Sequence, residues 1–168
     1  MVDDTSTKKN DFLSAYDAYA DAIYRHCYFR VFRKARAEEL MQDTFMKAWE
    51  YMQKGNNVEN LRAFLYKIAN NLIIDESRKK KEESLDVLLE GNMLREPSYR
   101  AETALESSIL LAEVKEKLKH LSEDEQRLIT LRYFDDLDPK DIAEVLGDNA
   151  NNVSVKLNRA LKKLKQYI

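Results

Sequence analysis

Apolar residues recur at steps of three and four along most of the chain, which is the period of an amphipathic α-helix. One stripe runs from Phe12 to Val31, a second from Leu40 to Met52 and a third from Leu61 to Ile73. The stretch MQKGNNVEN, with Gly55 and several asparagines, separates the second stripe from the third. Three such helices can bury one another's apolar faces, so this half of the chain predicts a helical bundle.

The C-terminal part of the chain carries a series of helix-start and helix-stop signals. A Ser or Asp whose side chain caps the first turn, a proline at the first helical position and a glycine just after the last turn mark the ends of helices. These signals are Ser122 with Glu125, Asp138 with Pro139, Gly147, and Asn149. They predict a helix to about residue 134, a two-turn helix over PKDIAEVL, and a last helix that runs to the end of the chain. A short helix, a glycine turn and a longer helix are typical of a helix-turn-helix.

The last helix has one apolar face and one polar, cationic face. At about 100° per residue, the apolar face consists of Val153, Leu157, Ala160, Leu161 and Leu164. The other side carries the candidate DNA-contacting residues Ser154, Val155, Lys156, Asn158, Arg159 and Lys162. Cations suit phosphates and guanine, an amide suits adenine, and a methyl-bearing surface suits thymine. A solvated face whose lysines only complement the helix dipole is the alternative, but the preceding two-turn helix favours a recognition helix in a major groove.

Composition limits the fold and the chemistry. The chain has 168 residues, of which 44% are hydrophobic and 35% charged, with three glycines and two prolines. Such scarce turn residues leave little provision for hairpins or phosphate-binding loops, so we predict an all-α fold. The single cysteine, Cys27, lies within an apolar stripe and predicts a buried, unreactive thiol, while His26 and His120 are too far apart to suggest a metal site. No carboxylate pair or nucleophilic triad can be assembled, so we expect neither an enzyme nor a cofactor.

Charge divides the chain into three segments. Residues 1–82 hold 15 Lys and Arg against 13 Asp and Glu, residues 83–110 hold 2 against 6, and residues 111–168 hold 11 against 11. The acidic middle contains Gly91 and Pro97 and lacks a sustained apolar stripe. We therefore predict two small helical domains, 1–82 and 111–168, joined by a flexible acidic linker over 83–110 with at most one short helix near its start. No apolar run is long enough to span a membrane and no signal-peptide segment follows Met1, so we expect a cytoplasmic protein without membrane insertion.

The third stripe combines amides and cations that could contact nucleic acid. Lys67, Asn70 and Asn71 lie within it, next to the asparagine-rich loop from Gly55 to Asn60, and the basic residues Arg78, Lys79 and Lys80 follow it. Amides and cations beside a loop suit unstacked bases rather than a duplex. Cations at a helix end are usually only solvated, so the residues alone leave both interpretations open.

Several motifs in order resemble a known family. AEELMQDTFMKAWEYM and NLRAFLYKIANNLIIDESRKKK, an acidic segment, and then LSEDEQRLITLRYFDDLDPKDIAEVLGDNANNVSVKLNRALKKL are similar to the second and fourth conserved regions of bacterial sigma factors of the extracytoplasmic-function group. The resemblance covers roughly residues 10–82 and 111–166. It implies a promoter-specificity subunit that binds core RNA polymerase, contacts duplex promoter DNA and a melted strand, and is a potential target of an anti-sigma factor.

The resemblance also implies roles for individual residues. It places polymerase docking on Glu39, Gln42, Asp43 and Met46, recognition of the minus 10 element at Asn71, and capture of a flipped base in the Gly55 to Asn60 loop. For the minus 35 element it implies Ser154, Val155, Asn158 and Arg159, the same face that the helical period selects. Two positions depart from the family pattern: Asp148 follows the turn glycine where an apolar residue is usual, and Ser154 stands where a cation is common.

Two other function classes and one regulatory hypothesis follow. A helix-turn-helix regulator that acts without polymerase would explain only the C-terminal domain, and a sigma mimic would be expected to bring a sensory domain. The acidic segment could also cover the cations at Arg78–Lys81 and Lys156–Lys165, so that the free protein masks its own DNA-binding faces.

Overall fold

The computed structural model describes residues 4–87 and 103–168, except the side chains of residues 83–87, 103–109 and 111. Within these ranges the chain is helical and contains no strand, which confirms the predicted all-α class. The helices are α1 (Asp4–Val31), α2 (Lys34–Gln53), α3 (Leu61–Val87), α4 (Thr103–Leu118), α5 (Glu123–Ile129), α6 (Pro139–Leu146) and α7 (Ala150–Lys165). A π-helical turn, Thr130–Phe134, continues α5 to the predicted end of that helix.

Helices α1, α2 and α3 form the predicted N-terminal bundle. Their buried residues come from the three apolar stripes and include Ile23, Leu40 and Leu65. Phe12 on α1 packs against Trp49 of α2, with ring centroids 4.9 Å apart. Cys27 is fully buried, and burial raises the pKa of its thiol to about 12, so it is a core residue.

The segment predicted as a linker is helical at both of its ends. Helix α3 continues to Val87, and α4 begins at Thr103, within the range 83–110. Helix α3 extends because RKKKEESLDV contains neither glycine nor proline, so no helix-breaking residue ends it. The centre of the predicted linker, residues 88–102, lies outside the described residues.

The structure confirms the predicted helix boundaries from Ser122 to the start of α7, whereas α7 ends at Lys165, three residues before the predicted end. Ser122 and Glu125 form both hydrogen bonds of a capping box, with backbone-to-side-chain distances of 3.2 and 2.8 Å. Asp138 caps α6 through the amide of Asp141, and Gly147 ends α6 with φ +67°. The side chain of Asn149 then caps α7. Helices α6 and α7, joined by this left-handed turn, are the predicted helix-turn-helix.

The two bundles share one continuous apolar core. Buried residues of α5, the π turn, α6 and α7 belong to the same cluster as those of α1, α2 and α3, among them Leu131, Leu137, Ile142 and Val145. A second, small cluster around Leu121, within the C-terminal bundle, holds α7 against α5. In this structure the predicted domains are therefore packed against each other. Within the described residues, no helix is long and apolar enough to cross a membrane.

The turn between α6 and α7 gives a test of the helix-turn-helix. Gly147 has φ +67°, and a Cβ added there would meet no atom within 4 Å. Gly147→Ala should therefore lower the free energy of unfolding through backbone strain alone, by about 1–2 kcal/mol. Chemical denaturation measures this loss.

Gly147→Asn is the matched control, because asparagine tolerates the left-handed region better than alanine. It should restore part of the lost stability. Equal stability of Gly147→Ala and the native protein would mean that the turn does not require a positive φ.

Candidate functional site

The predicted docking residues form one exposed face of α2. Glu39, Gln42, Asp43 and Met46 follow the spacing i, i+3, i+4, i+7, and all four are exposed. The side chain of Met46 is 65% exposed, which makes it an apolar contact point within a polar face. Their neighbours on the other face, including Leu40 and Phe45, are buried against α1 and α3. The stripe is thus surface that the bundle does not need for its own packing.

The predicted duplex-reading face of α7 is also accessible. Val155, Asn158, Arg159 and Lys162 are exposed and Ser154 is partly exposed, whereas Val153, Leu157 and Ala160 are buried on the opposite side. This agrees with the faces that the helical period predicts. The apolar face of α7 packs on α5 and α6, which holds the polar face towards solvent.

Two of the cations of α7 form ion pairs with carboxylates of the C-terminal bundle. The ammonium group of Lys156 lies 2.5 Å from Asp148, and that of Lys163 lies 3.0 Å from Glu125. Asp148 also accepts hydrogen bonds from the amide of Asn149 and the side chain of Asn152. The bond from Lys156, followed by those from Asn149 and Asn152, lowers the pKa of Asp148 to about 2.

Asp148 therefore has a structural reason to stand where the family pattern has an apolar residue. Its carboxylate lies at the N-terminal end of α7 and ties the turn to the second turn of the helix through Lys156. Lys156 is consequently less available to a phosphate than Arg159 and Lys162.

The predicted minus 10 residues of α3 divide between surface and interior. Lys67 and Asn71, four residues apart, are exposed on one face, and Arg78, Lys79 and Lys80 are exposed further along the helix. Asn70 is only 3% exposed. Asn70 lies one position before the exposed Asn71, so its side chain points into the bundle instead of towards solvent. Its role as a DNA contact stays a prediction, and in this arrangement its burial does not support that role.

A buried polar contact joins the two bundles. His26 Nδ1 of α1 lies 2.6 Å from Asp135 Oδ2, which directly follows the π turn, and both side chains are buried. The guanidinium group of Arg62 donates to the main-chain oxygen of Asp135 over 2.8 Å. The ring of Tyr66 meets the His26 ring edge-on, at 5.3 Å between centroids. Burial, followed by the charge of Asp135, raises the pKa of Tyr66 to about 12.

The loop before α3 takes part in the same interface. The amide of Asn60 donates to Asp141 of α6 over 2.8 Å, while its oxygen accepts from the amide nitrogen of Ala63. The last residue of the loop that the resemblance assigns to a flipped base therefore contacts the first helix of the helix-turn-helix, while Gly55, Asn56, Asn57 and Glu59 are exposed. At the other end of the interface, Lys81 of α3 pairs with Glu123 of α5 at 2.8 Å.

Comparison with known families gives the identity of both bundles. Residues 15–83 match Sigma-70 region 2, and residues 111–164 match Sigma-70 region 4. A Bacillus subtilis RNA polymerase sigma factor, SigV, is 30% identical over 146 residues, covering 83% of this chain and 80% of SigV. The chain belongs to the sigma-70 family. It is an RNA polymerase sigma factor that resembles the extracytoplasmic-function group.

Other relatives agree with this assignment. The extracytoplasmic-function sigma factor SigW of Bacillus subtilis is 28% identical over 96% of this chain and 92% of its own length. BldN of Streptomyces coelicolor is 30% identical over 91% of this chain, which spans only 58% of BldN. The assignment accounts for both bundles, so a helix-turn-helix regulator without polymerase docking is not favoured.

Solved structures of sigma factors share the fold. The sigma factor RpoE from Bartonella quintana, in complex with the anti-sigma factor NepR, superposes with a TM-score of 0.70 at 24% identity, covering 93% of this chain and 95% of RpoE. CnrH, in complex with the cytosolic domain of CnrY, gives a TM-score of 0.70 at 21% identity, covering 95% of this chain and 88% of CnrH.

Sequence patterns did not reveal the residues that hold the two sigma regions together. His26 lies in an apolar stripe and Asp135 in the loop FDDLDP, 109 positions later, so no local spacing links them. A polar residue on a buried stripe was the one available signal, because a buried polar side chain requires a partner from elsewhere in the fold.

The contact between His26 and Asp135 is testable. Asp135→Ala leaves the imidazole of His26 buried without this partner, which should lower the free energy of unfolding by about 1–3 kcal/mol. It should also lengthen the mean distance between fluorophores placed on α2 and α7. Denaturation and energy transfer measure the two effects.

Asp136→Asn is the matched control, because the Asp136 side chain is 95% exposed and asparagine tolerates its positive φ of 53°. It should change neither quantity. If Asp135→Ala behaves like this control, the pair does not hold the two bundles together.

Proposed function

We propose that this sigma factor binds core RNA polymerase through the exposed stripe of α2 and reads promoter DNA through α3 and α7. The main support for the proposal is that two exposed polar surfaces each lie over a fully packed core. Glu39, Gln42, Asp43 and Met46 form the first surface, and Val155, Asn158, Arg159 and Lys162 form the second. It acts as a specificity subunit without catalysis of its own, in the cytoplasm and, within holoenzyme, on the nucleoid.

The two reading surfaces suit different forms of DNA. The second helix of a helix-turn-helix enters a major groove, where an amide, a methyl group and cations can contact base edges and phosphates. This makes α7 the candidate for the duplex minus 35 element. Lys67 and Asn71 lie on the bundle that carries the asparagine-rich loop, and with Arg78, Lys79 and Lys80 they are the candidates for the minus 10 element and its melted strand.

The packed arrangement requires a rearrangement before both elements are read. Arg62 and Asn60, at the start of α3, are bound to residues of the C-terminal bundle. An extended promoter presents its two elements at separate places, so we infer that polymerase binding separates the two regions. The solved structure of RpoE is a complex with the anti-sigma factor NepR. An anti-sigma factor that favours the packed arrangement is the corresponding proposed partner here.

The acidic segment is a second proposed source of masking. Its centre, residues 88–102, lies outside the described residues. Within them, the carboxylates that pair with the basic residues Lys81, Lys156 and Lys163 come from Glu123, Asp148 and Glu125 instead. The C-terminal bundle therefore already neutralises part of both basic faces, and covering by residues 88–102 stays a prediction.

The docking assignment predicts the effect of one charge reversal. Asp43 is exposed and lies outside the apolar face of α2, so Asp43→Lys should weaken binding to core polymerase about tenfold while the melting temperature stays unchanged. Fluorescence anisotropy of the labelled protein with core polymerase measures the affinity.

Glu38→Lys is the matched control, since Glu38 is an exposed carboxylate on the same helix, about a quarter turn from the centre of the proposed stripe. It should bind normally. Unchanged affinity of Asp43→Lys would remove this residue from the docking surface, and a fall in melting temperature would make it structural.

The DNA-reading assignment predicts that two sets of variants fail on different DNA. Replacing both Arg159 and Lys162 with alanine should weaken binding to a double-stranded minus 35 fragment and lower the salt slope by about 0.9 per lost phosphate contact. Asn71→Ala should leave that binding unchanged. It should weaken capture of a single-stranded minus 10 fragment by up to about 1–3 kcal/mol and slow opening by holoenzyme.

Each variant is measured on both fragments across a salt series. Lys9→Ala, an exposed cation on α1 outside the proposed DNA-reading surfaces, controls for general loss of charge. Normal opening by holoenzyme with Asn71→Ala would show that α3 does not read the melted strand.

A further inference from the structure

A cleft between the two sigma regions contains guanidinium nitrogen atoms that have no hydrogen-bond partner among the described residues. It has a volume of about 690 Å³ and lies between the end of α1, the second half of α3 and α5. One terminal nitrogen of Arg30 and the Nε of Arg127 are buried without a hydrogen-bond partner among the described residues. Both residues line the cleft. Buried guanidinium N–H groups are costly to leave unpaired, so their place in a cleft indicates a missing acceptor.

The charges around the cleft are not balanced. Its carboxylates are already paired: Glu76 lies 2.7 Å from Arg36, Glu123 lies 2.8 Å from Lys81, and Asp124 lies 2.9 Å from Arg127. Arg30 forms no ion pair within the described part of the chain. Among the described residues, the lining holds the cations Arg30, Arg78, Lys80, Lys81 and Arg127 against the anions Glu76, Glu123 and Asp124, so 5 − 3 leaves an excess of two positive charges within this set.

The excess of positive charge affects the pKa of Arg30. Burial, followed by the positive charge of Arg127, lowers the pKa of Arg30 to about 10. The carboxylates of Glu123 and Asp135 oppose this effect without cancelling it. Arg30 remains charged at neutral pH, so its desolvated charge destabilises this arrangement unless an anion enters the cleft.

We propose that the cleft binds a small phosphate-bearing anion between Arg30 and Arg127. A phosphate group carries a charge close to the excess of two and offers oxygens to more than one guanidinium fork. The volume of about 690 Å³ admits a nucleotide-sized molecule. The exposed Arg78 and Lys80 at the mouth would attract such a ligand.

Such a ligand would favour the packed arrangement. The walls come from α1 and α3 of region 2 and from α5 of region 4, so the cleft exists only while the regions are in contact. A ligand that binds one arrangement alone shifts the equilibrium towards it. The anion would thereby oppose the separation that promoter reading requires. This consequence rests on the function proposed above.

The first experiment measures binding of pyrophosphate to the full chain by calorimetry, at fixed ionic strength in chloride buffer. We expect one saturable site, and a nucleoside diphosphate as a second probe should compete for it. Arg30→Met and Arg127→Met should each weaken binding at least about tenfold, the size expected for a charge-assisted hydrogen bond. Arg25→Met, an exposed arginine on α1 outside the cleft, should bind within about twofold of the native protein.

Folding is monitored separately. Without phosphate, Arg30→Met should be at least as stable as the native protein, because it removes a buried charge and keeps the apolar stem. Pyrophosphate should raise the melting temperature of the native protein and leave that of Arg30→Met unchanged. If Arg30→Met does not fold, the Arg127→Met variant carries the binding test.

Three outcomes would overturn the proposal. One is the absence of saturable pyrophosphate binding, and another is an equal loss in the Arg25→Met control. The third is binding that appears only after Glu90 and Glu96 are changed to glutamine, which would assign the cleft to the chain's own carboxylates.

Two further measurements separate this inference from the proposed function. A single-stranded oligonucleotide could bind the native protein and bind Arg30→Met more weakly, while pyrophosphate does not bind. That result would assign the cleft to the melted strand and reject the small ligand. Arg30→Met should still direct transcription with core polymerase. Pyrophosphate should shorten the mean distance between fluorophores placed on α2 and α7 in the native protein but not in this variant. If the native protein does not direct transcription with core polymerase, the sigma function itself is refuted.

Discussion

The buried contact between His26 and Asp135 decides how the two sigma regions are placed. It brings a polar group of α1 together with a carboxylate 109 residues later, in a site from which water is excluded. Apolar packing alone would hold the bundles together without choosing a register, because hydrophobic contacts are not directional. A buried polar pair costs free energy in any register that separates its members. The pair and the Arg62 bond to the Asp135 carbonyl therefore select one relative position.

That position has unequal effects on the three functional surfaces. The docking stripe of α2 and the reading face of α7 point into solvent. Lys67 and Asn71 of α3 are also exposed, and the interface engages Asn60, at the end of the preceding loop, and Arg62, at the start of α3. The contact with the C-terminal bundle therefore covers one edge of the proposed minus 10 surface and leaves its other residues accessible.

Local charge is more informative here than net charge. The whole chain has a formal charge of −2, yet α7 and the run Arg78–Lys81 of α3 are cationic. Several of these cations already have carboxylate partners, as with Lys156 and Asp148 or Lys81 and Glu123. Such exposed pairs stabilise a fold only slightly and are readily exchanged for phosphate contacts. The cleft at Arg30 differs because its charge is buried, so an exchange there requires a ligand that enters.

Local patterns predicted most of the helices, their caps in the C-terminal bundle and the exposed faces of α2 and α7. These features depend on residues within one or two turns of each other: the capping box at Ser122, the left-handed glycine at position 147, and the period that sets Leu157 inside and Arg159 outside. The burial of Asn70, the pairing of His26 with Asp135 and the cleft at Arg30 became known from the folded arrangement alone. Each of these depends on which surface of a distant helix packs opposite a given residue. Packing between distant parts of the chain leaves no periodic pattern in the sequence, so local spacing cannot predict it.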